Sequence, residues 1–116
     1  MNLDHPAFLI PILAGTIFMF CGLIMIKFPP KKINSFYGYR TSNSMKLQER
    51  WDFAQIYSAG QLLKSGLILI LTSILGLIFK IEEGIGIAIG LGLMVAIVII
   101  LLARTEKAIS LRFGSK

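Results

Sequence analysis

The sequence predicts an all-α integral membrane protein: a bundle of three transmembrane helices, with an ordered loop and an amphipathic surface helix between the first and second spans. Three observations carry this reading. Apolar residues make up 55% of the 116 positions and the mean hydropathy is +0.76, more aliphatic surface than a soluble domain of this size can bury. These residues gather into three long runs, set against the roughly 20 residues a helix needs to cross about 30 Å of hydrocarbon; the second, unbroken only from Ser65 to Phe79, must borrow residues upstream. The polar residues concentrate instead in one segment, Asn34 to Asp52, and in a basic tail. At this length the chain is a single domain, 1–116.

The first span is expected over about Ala7 to Phe28. His5-Pro6 suits a helix start, because a proline in the first turn forfeits no intrahelical hydrogen bond. No basic stretch precedes the span and no small-residue cleavage site accompanies it, so it reads as a retained helix rather than a cleaved signal. Pro11, a turn further in, permits a slight bend. Gly15 and Gly22 are seven apart on one face, a spacing that admits a close neighbouring helix and that composition alone also produces. Pro29-Pro30 then stops the helix, since neither residue can donate a backbone bond.

The loop that follows, to Ser44, is rich in Asn, Ser, Gly and Tyr, the residues of turns and local side-chain capping. Ser44, or alternatively Thr41, is placed to cap a helix from Met45 to Tyr57. On that helix Leu47, Trp51, Ala54 and Ser58 share a face, while Gln48, Glu49, Asp52 and Gln55 fall mostly elsewhere. It is expected to rest on the membrane surface or on the other helices, with Trp51 at the interface. The second span follows over 58–79. No proline separates the two, so they can be continuous, with a bend near Gly60. Lys64 can snorkel its ammonium to the headgroups. A tight turn, Lys80 to Gly84, returns the chain antiparallel into a third span over 85–103. Gly86 and Gly90 form a GxxxG pattern, repeated by Ala88 and Gly92, that suits packing within the chain or against a second copy. The tail carries Arg104, Lys107, Arg112 and Lys116.

The net charge of +6 points to cytoplasmic flanks rather than to nucleic acid. Six of the twelve Lys and Arg residues lie between Lys27 and Arg50 and four in the tail, whereas none precedes the first span. Three spans put the loop and tail on one side, so both are expected in the cytoplasm and the N-terminus outside. Membrane lipid is therefore an expected partner.

The chemistry of the chain is sparse. All six carboxylates (Asp4, Glu49, Asp52, Glu82, Glu83, Glu106) lie in loops or at ends, which argues against a small proton-coupled exporter needing a membrane-embedded acid. The sequence contains no P-loop, HExxH, CxxC or nucleophile elbow. Cys21, mid-span, and His5, at the outer edge, cannot form a metal site together, and no cofactor is expected. The polar loop offers a different kind of site. Tyr37, Tyr39 and Trp51 supply amphipathic rings, Arg40 a bidentate donor for phosphate or carboxylate, Gly38 a turn or close approach, and Asn34, Thr41 and Ser44 short hydrogen-bonding groups. These residues either form a ligand pocket, or anchor the loop to headgroups and cap a helix, or build a polar clasp in which Arg40 pairs with Glu49 or Asp52.

The order Asn34, Tyr37-Gly38-Tyr39-Arg40-Thr41, Ser44-Met45, Glu49 and Trp51, between the first two spans, resembles the SdpI family of small bacterial membrane proteins. The chain departs from the usual pattern at Ser42, where a proline often follows the threonine; longer members carry additional N-terminal membrane helices, and this chain is expected to hold only the SdpI-type module. The resemblance implies immunity. The founding member protects its producer from a secreted toxic peptide and takes part in signalling that toxin's presence, and no catalytic role is known for the motif residues. A toxic peptide is thus the partner that the resemblance suggests.

Overall fold

The computed structural model describes residues 3–114 and contains three helices: α1 (Pro6–Lys27), α2 (Gln48–Ile78) and α3 (Glu83–Phe113). All three are long and apolar enough to cross a membrane. They form an antiparallel bundle in which α1 packs mainly on α2, with α3 against both.

The helices approach closely where side chains are small. A Cβ on Gly15 of α1 would lie 2.8 Å from the Gly66 carbonyl of α2, so only glycine permits that crossing. Gly86 and Gly90 play the same part between α3 and α1. Cβ atoms there would lie 2.8 Å from the His5 ring and 2.9 Å from Ile10, so α1 of the same chain occupies this face. Outward-facing Leu and Ile side chains such as Leu13, Ile17, Leu71 and Ile99 are more than half exposed, as expected of surfaces that face lipid.

Two boundaries differ from the sequence expectation. The expected surface helix and second span are continuous, as the lack of a proline allowed, forming one helix, α2, that runs through Gly60 and begins at Gln48 rather than Met45. Nothing in the chain forces a break: a Cβ on Gly60 would meet no atom within 4 Å, and no proline intervenes. The tail is also helical, as far as Phe113; Lys116 lies outside the described residues. Helices of 31 residues reach about 46 Å at 1.5 Å per residue, against about 30 Å of hydrocarbon. The first turns of α2 and the last turns of α3 therefore project together beyond the apolar layer. They form a polar end, on which the loop between α1 and α2 folds.

The opposite end is tied by His5. Its Nδ1 accepts from Ala7 N at 3.1 Å, capping α1. Its Nε2 donates to the Ile81 carbonyl at 2.6 Å, so the N-terminus is fastened to the turn between α2 and α3.

Candidate functional site

The segment from Pro29 to Leu47 contains no regular helix, so its backbone groups need other partners. Asn34 makes the first turn: its Oδ1 accepts from Phe36 N at 2.9 Å and from Tyr37 N at 2.8 Å. That turn directs Tyr37 back to α1, where its hydroxyl donates to the Phe28 carbonyl at 2.6 Å, satisfying a group left open at the helix end. Gly38 follows with φ +102°, a conformation that side chains disfavour. There is also no space for one, because a Cβ would lie 2.5 Å from Gln55 Oε1 and 2.6 Å from Pro30 Cγ.

Past this turn Tyr39 enters the core, beside Met25, Ala54, Ala59, Leu101 and Ile109. The Gln55 side chain, itself buried, holds the Tyr39 backbone at two points. Gln55 Oε1 accepts from Tyr39 N at 2.7 Å, and Gln55 Nε2 donates to Tyr39 O at 2.9 Å. The Tyr39 hydroxyl donates to Glu106 Oε2 on α3 at 2.7 Å, and the Thr41 hydroxyl donates to the same oxygen at 2.9 Å. Burial, reinforced by the Glu106 carboxylate, holds the Tyr39 phenol well above the usual tyrosine range. Ser44 closes the turn, its Oγ accepting from Thr41 N at 2.9 Å while its own N–H donates to Thr41 Oγ1 at 3.1 Å. It is fully buried and does not cap α2, whose cap residue, Leu47, makes no side-chain bond.

The start of α2 completes the assembly. Trp51 is fully buried rather than interfacial, and its indole donates to the Pro30 carbonyl at 2.5 Å. Gln48 Nε2 donates to the Lys31 carbonyl at 2.6 Å and to Asp52 Oδ1 at 2.7 Å. Arg50 is 3% exposed. It donates to Asn43 Oδ1 at 2.6 Å, to Gly114 O at 3.1 Å and to Phe113 O at 3.2 Å, placing a cation on the carbonyls at the negative end of α3.

A clasp therefore exists, but not the one expected. Arg40 pairs with neither Glu49 nor Asp52; it is exposed and donates to the Ser35 carbonyl. Glu49 is exposed in the first turn of α2 and Asp52 is engaged by Gln48. The anion that gathers the loop is Glu106, and the buried cation is Arg50. Sequence reasoning named neither as a site residue, and it set Gln55 apart from the Trp51 face. A signal for Gln55 was present, because Trp51, Gln55, Ser58 and Ala59 follow helical spacing and all are buried.

Beneath the loop, an apolar cavity of about 350 Å³ is lined by Ile17, Phe18, Cys21, Met25, Tyr37 and Leu62, among others. Lys31, Lys32, Phe36 and Arg40 of the loop are exposed, Phe36 at 91%. No group of three or more metal-binding side chains occurs among the described residues.

These features define a small multi-pass α-helical membrane protein whose three helices are fastened at one end by a folded polar loop. Residues 31–103 match the SdpI/YfhL protein family, and the chain belongs to that family. A relative from Bacillus subtilis (strain 168), described as uncharacterized protein YfhL, is 43% identical over 58 residues. The match takes in 50% of this chain and 53% of that protein, so the chain aligns with about half the relative's length. No solved structure matches.

Proposed function

We propose that the protein is a non-enzymatic membrane immunity or resistance protein, which binds a membrane-active toxic peptide or occupies that peptide's target. The observation that carries this reading is the coincidence of the family match with the folded loop. The hydroxyls of Tyr39, Thr41 and Ser44 and the Gln55 amide are spent on one another, on Glu106 and on backbone. They hold a surface in shape and leave Arg40 facing outward. Expression in a sensitive strain, followed by challenge with a broad panel of membrane-active peptides, tests the reading. Reduced killing by at least one peptide is expected, and unchanged killing across the panel refutes it.

In this reading the loop and the C-terminal end of α3 face the cytoplasm and the N-terminus faces out. The support is the basic excess of both segments and their meeting at one end of the bundle. In a Cys21→Ser background, an impermeant thiol reagent added to intact cells should label Glu83→Cys and spare Ser42→Cys. The reverse pattern overturns the orientation.

A second reading has the loop bind lipid headgroups, as a lipid-binding protein or enzyme. The exposed Phe36, on the same loop as the exposed Lys31, Lys32 and Arg40, favours it, since an apolar side chain on a basic segment suits an anionic membrane surface. Loss of lipid association in Arg40→Ala would support this reading, and unchanged association would count against it.

A further inference from the structure

A second polar site lies away from the loop, in the cleft between α2 and α3. Its volume is about 250 Å³, and its lining includes Gln61, Lys64 and Ser65 of α2 with Ile97, Ile100 and Arg104 of α3. Gln61 and Ser65 are each only 9% exposed, yet neither side chain makes a hydrogen bond among the described residues. Lys64 and Arg104 likewise have no ion pair or hydrogen bond there, and no carboxylate lines the cleft. The Gln61 amide and the Ser65 hydroxyl, with the exposed side chains of Lys64 and Arg104, thus line one open cleft without protein partners, their polar atoms within reach of a ligand.

The depth of the cleft identifies what would satisfy them. Arg104 directly follows the apolar run that ends at Ala103, so the cleft opens at the border of the hydrocarbon, where phosphates lie. Next to it, Leu67, Ile68, Ile99 and Ile100 are each at least half exposed, a surface along which an acyl chain can run. Two cations and two neutral hydrogen-bonding groups complement a phosphate ester, and the apolar approach favours one carried by a lipid over a free ion.

We propose that the cleft formed by Gln61, Lys64, Ser65 and Arg104 binds the phosphate of an anionic phospholipid, seating one lipid between α2 and α3. Native mass spectrometry of the detergent-purified protein tests this, with titrations of phosphatidylglycerol and phosphatidylcholine of identical acyl chains. Phosphatidylglycerol should be retained about tenfold more strongly, equivalent to about 1.4 kcal/mol. Joint substitution Lys64→Gln with Arg104→Gln should remove that preference. Gln61→Leu keeps both charges and should weaken retention several-fold, an effect that diffuse charge attraction would not produce. Lys80→Gln, in the turn at the opposite end of the bundle, should leave retention unchanged.

Equal retention of the two lipids by the wild-type protein overturns the proposal. So does an equal loss of preference in Lys80→Gln, or displacement of phosphatidylglycerol by millimolar inorganic phosphate, which would make the cleft a free-anion site. If the double variant fails to fold, the wild-type lipid ratio and Gln61→Leu still decide. None of these outcomes depends on peptide immunity.

Discussion

Gly38→Ala is the sharpest test of the folded loop. Two costs add. A side chain at φ +102° is strained by roughly 1–2 kcal/mol. The new methyl group would also sit 2.5 Å from Gln55 Oε1, so the Gln55 amide must shift and weaken its two bonds to the Tyr39 backbone, each worth about 1 kcal/mol net. Together they predict a loss of roughly 2–4 kcal/mol, a large share of the roughly 5–15 kcal/mol typical of a folded protein. Trp51, the only tryptophan, reports on the site directly, because its indole is fully buried against Pro30. Thermal unfolding in detergent, followed by its fluorescence, should show a clear fall in midpoint. The control is Gly60→Ala. That position is helical and has no neighbour within 4 Å, so alanine there should stabilise by roughly 0.5–1 kcal/mol. A Gly38→Ala protein that melts with the wild type refutes the reasoning, as does a Gly60→Ala protein destabilised to the same degree.

Three further substitutions probe the ties between helices. Tyr39→Phe should flatten the alkaline side of the stability profile: a phenol held above its ordinary value stabilises the fold fully below about pH 10 and progressively less above it, so the difference in melting temperature between wild type and variant should narrow as pH rises past that point. Arg50→Lys cannot reproduce a forked contact with Asn43, Phe113 and Gly114. It should cost roughly 2–3 kcal/mol, read by fluorescence melting, and should speed tryptic cleavage near Arg112. His5→Ala removes the α1 cap and the bond to Ile81 at the opposite end. It should cost roughly 1–2 kcal/mol and raise amide hydrogen exchange in the first turn of α1, leaving the loop unaffected.

The helical architecture was legible because hydrocarbon imposes a length and a composition that few other folds satisfy. Helix ends were less so, since the eye stops where apolarity stops. The inward stripe of α3 continues through Leu101, Thr105 and Ile109 at steps of four, past the first charge at Arg104, and following that stripe would have extended the helix. Asn34, Tyr37, Gly38, Tyr39, Thr41, Ser44 and Trp51 were legible as one polar unit, but their partners were not. Glu106 lies 65 positions from Thr41, and nothing in the spacing of either segment records that pairing. Arg40 was the natural choice for the clasp's cation because its motif is conspicuous. The fold buries Arg50 instead, whose place on α2 brings its guanidinium to the carbonyls at the end of α3.

Apolar helices gain little from associating with one another in lipid, where the surroundings are as apolar as the partner. In this bundle the glycine contacts bring the helices close, while the polar end supplies specific ties from the loop to α2 and α3 and from α2 to α3. Most motif residues therefore act on the fold, and substituting them would abolish any activity without locating a binding surface. Arg40 is the exception. Exposed, and held only to the Ser35 carbonyl, it should tolerate Arg40→Gln within about 0.5 kcal/mol by Trp51 fluorescence melting. If the loop recognises a toxic peptide through its outer face, the same variant should lose protection in the challenge assay while retaining its melting temperature. Full protection by a stably folded Arg40→Gln protein would remove this arginine from recognition, and with it the outer face of the loop as the contact for the peptide.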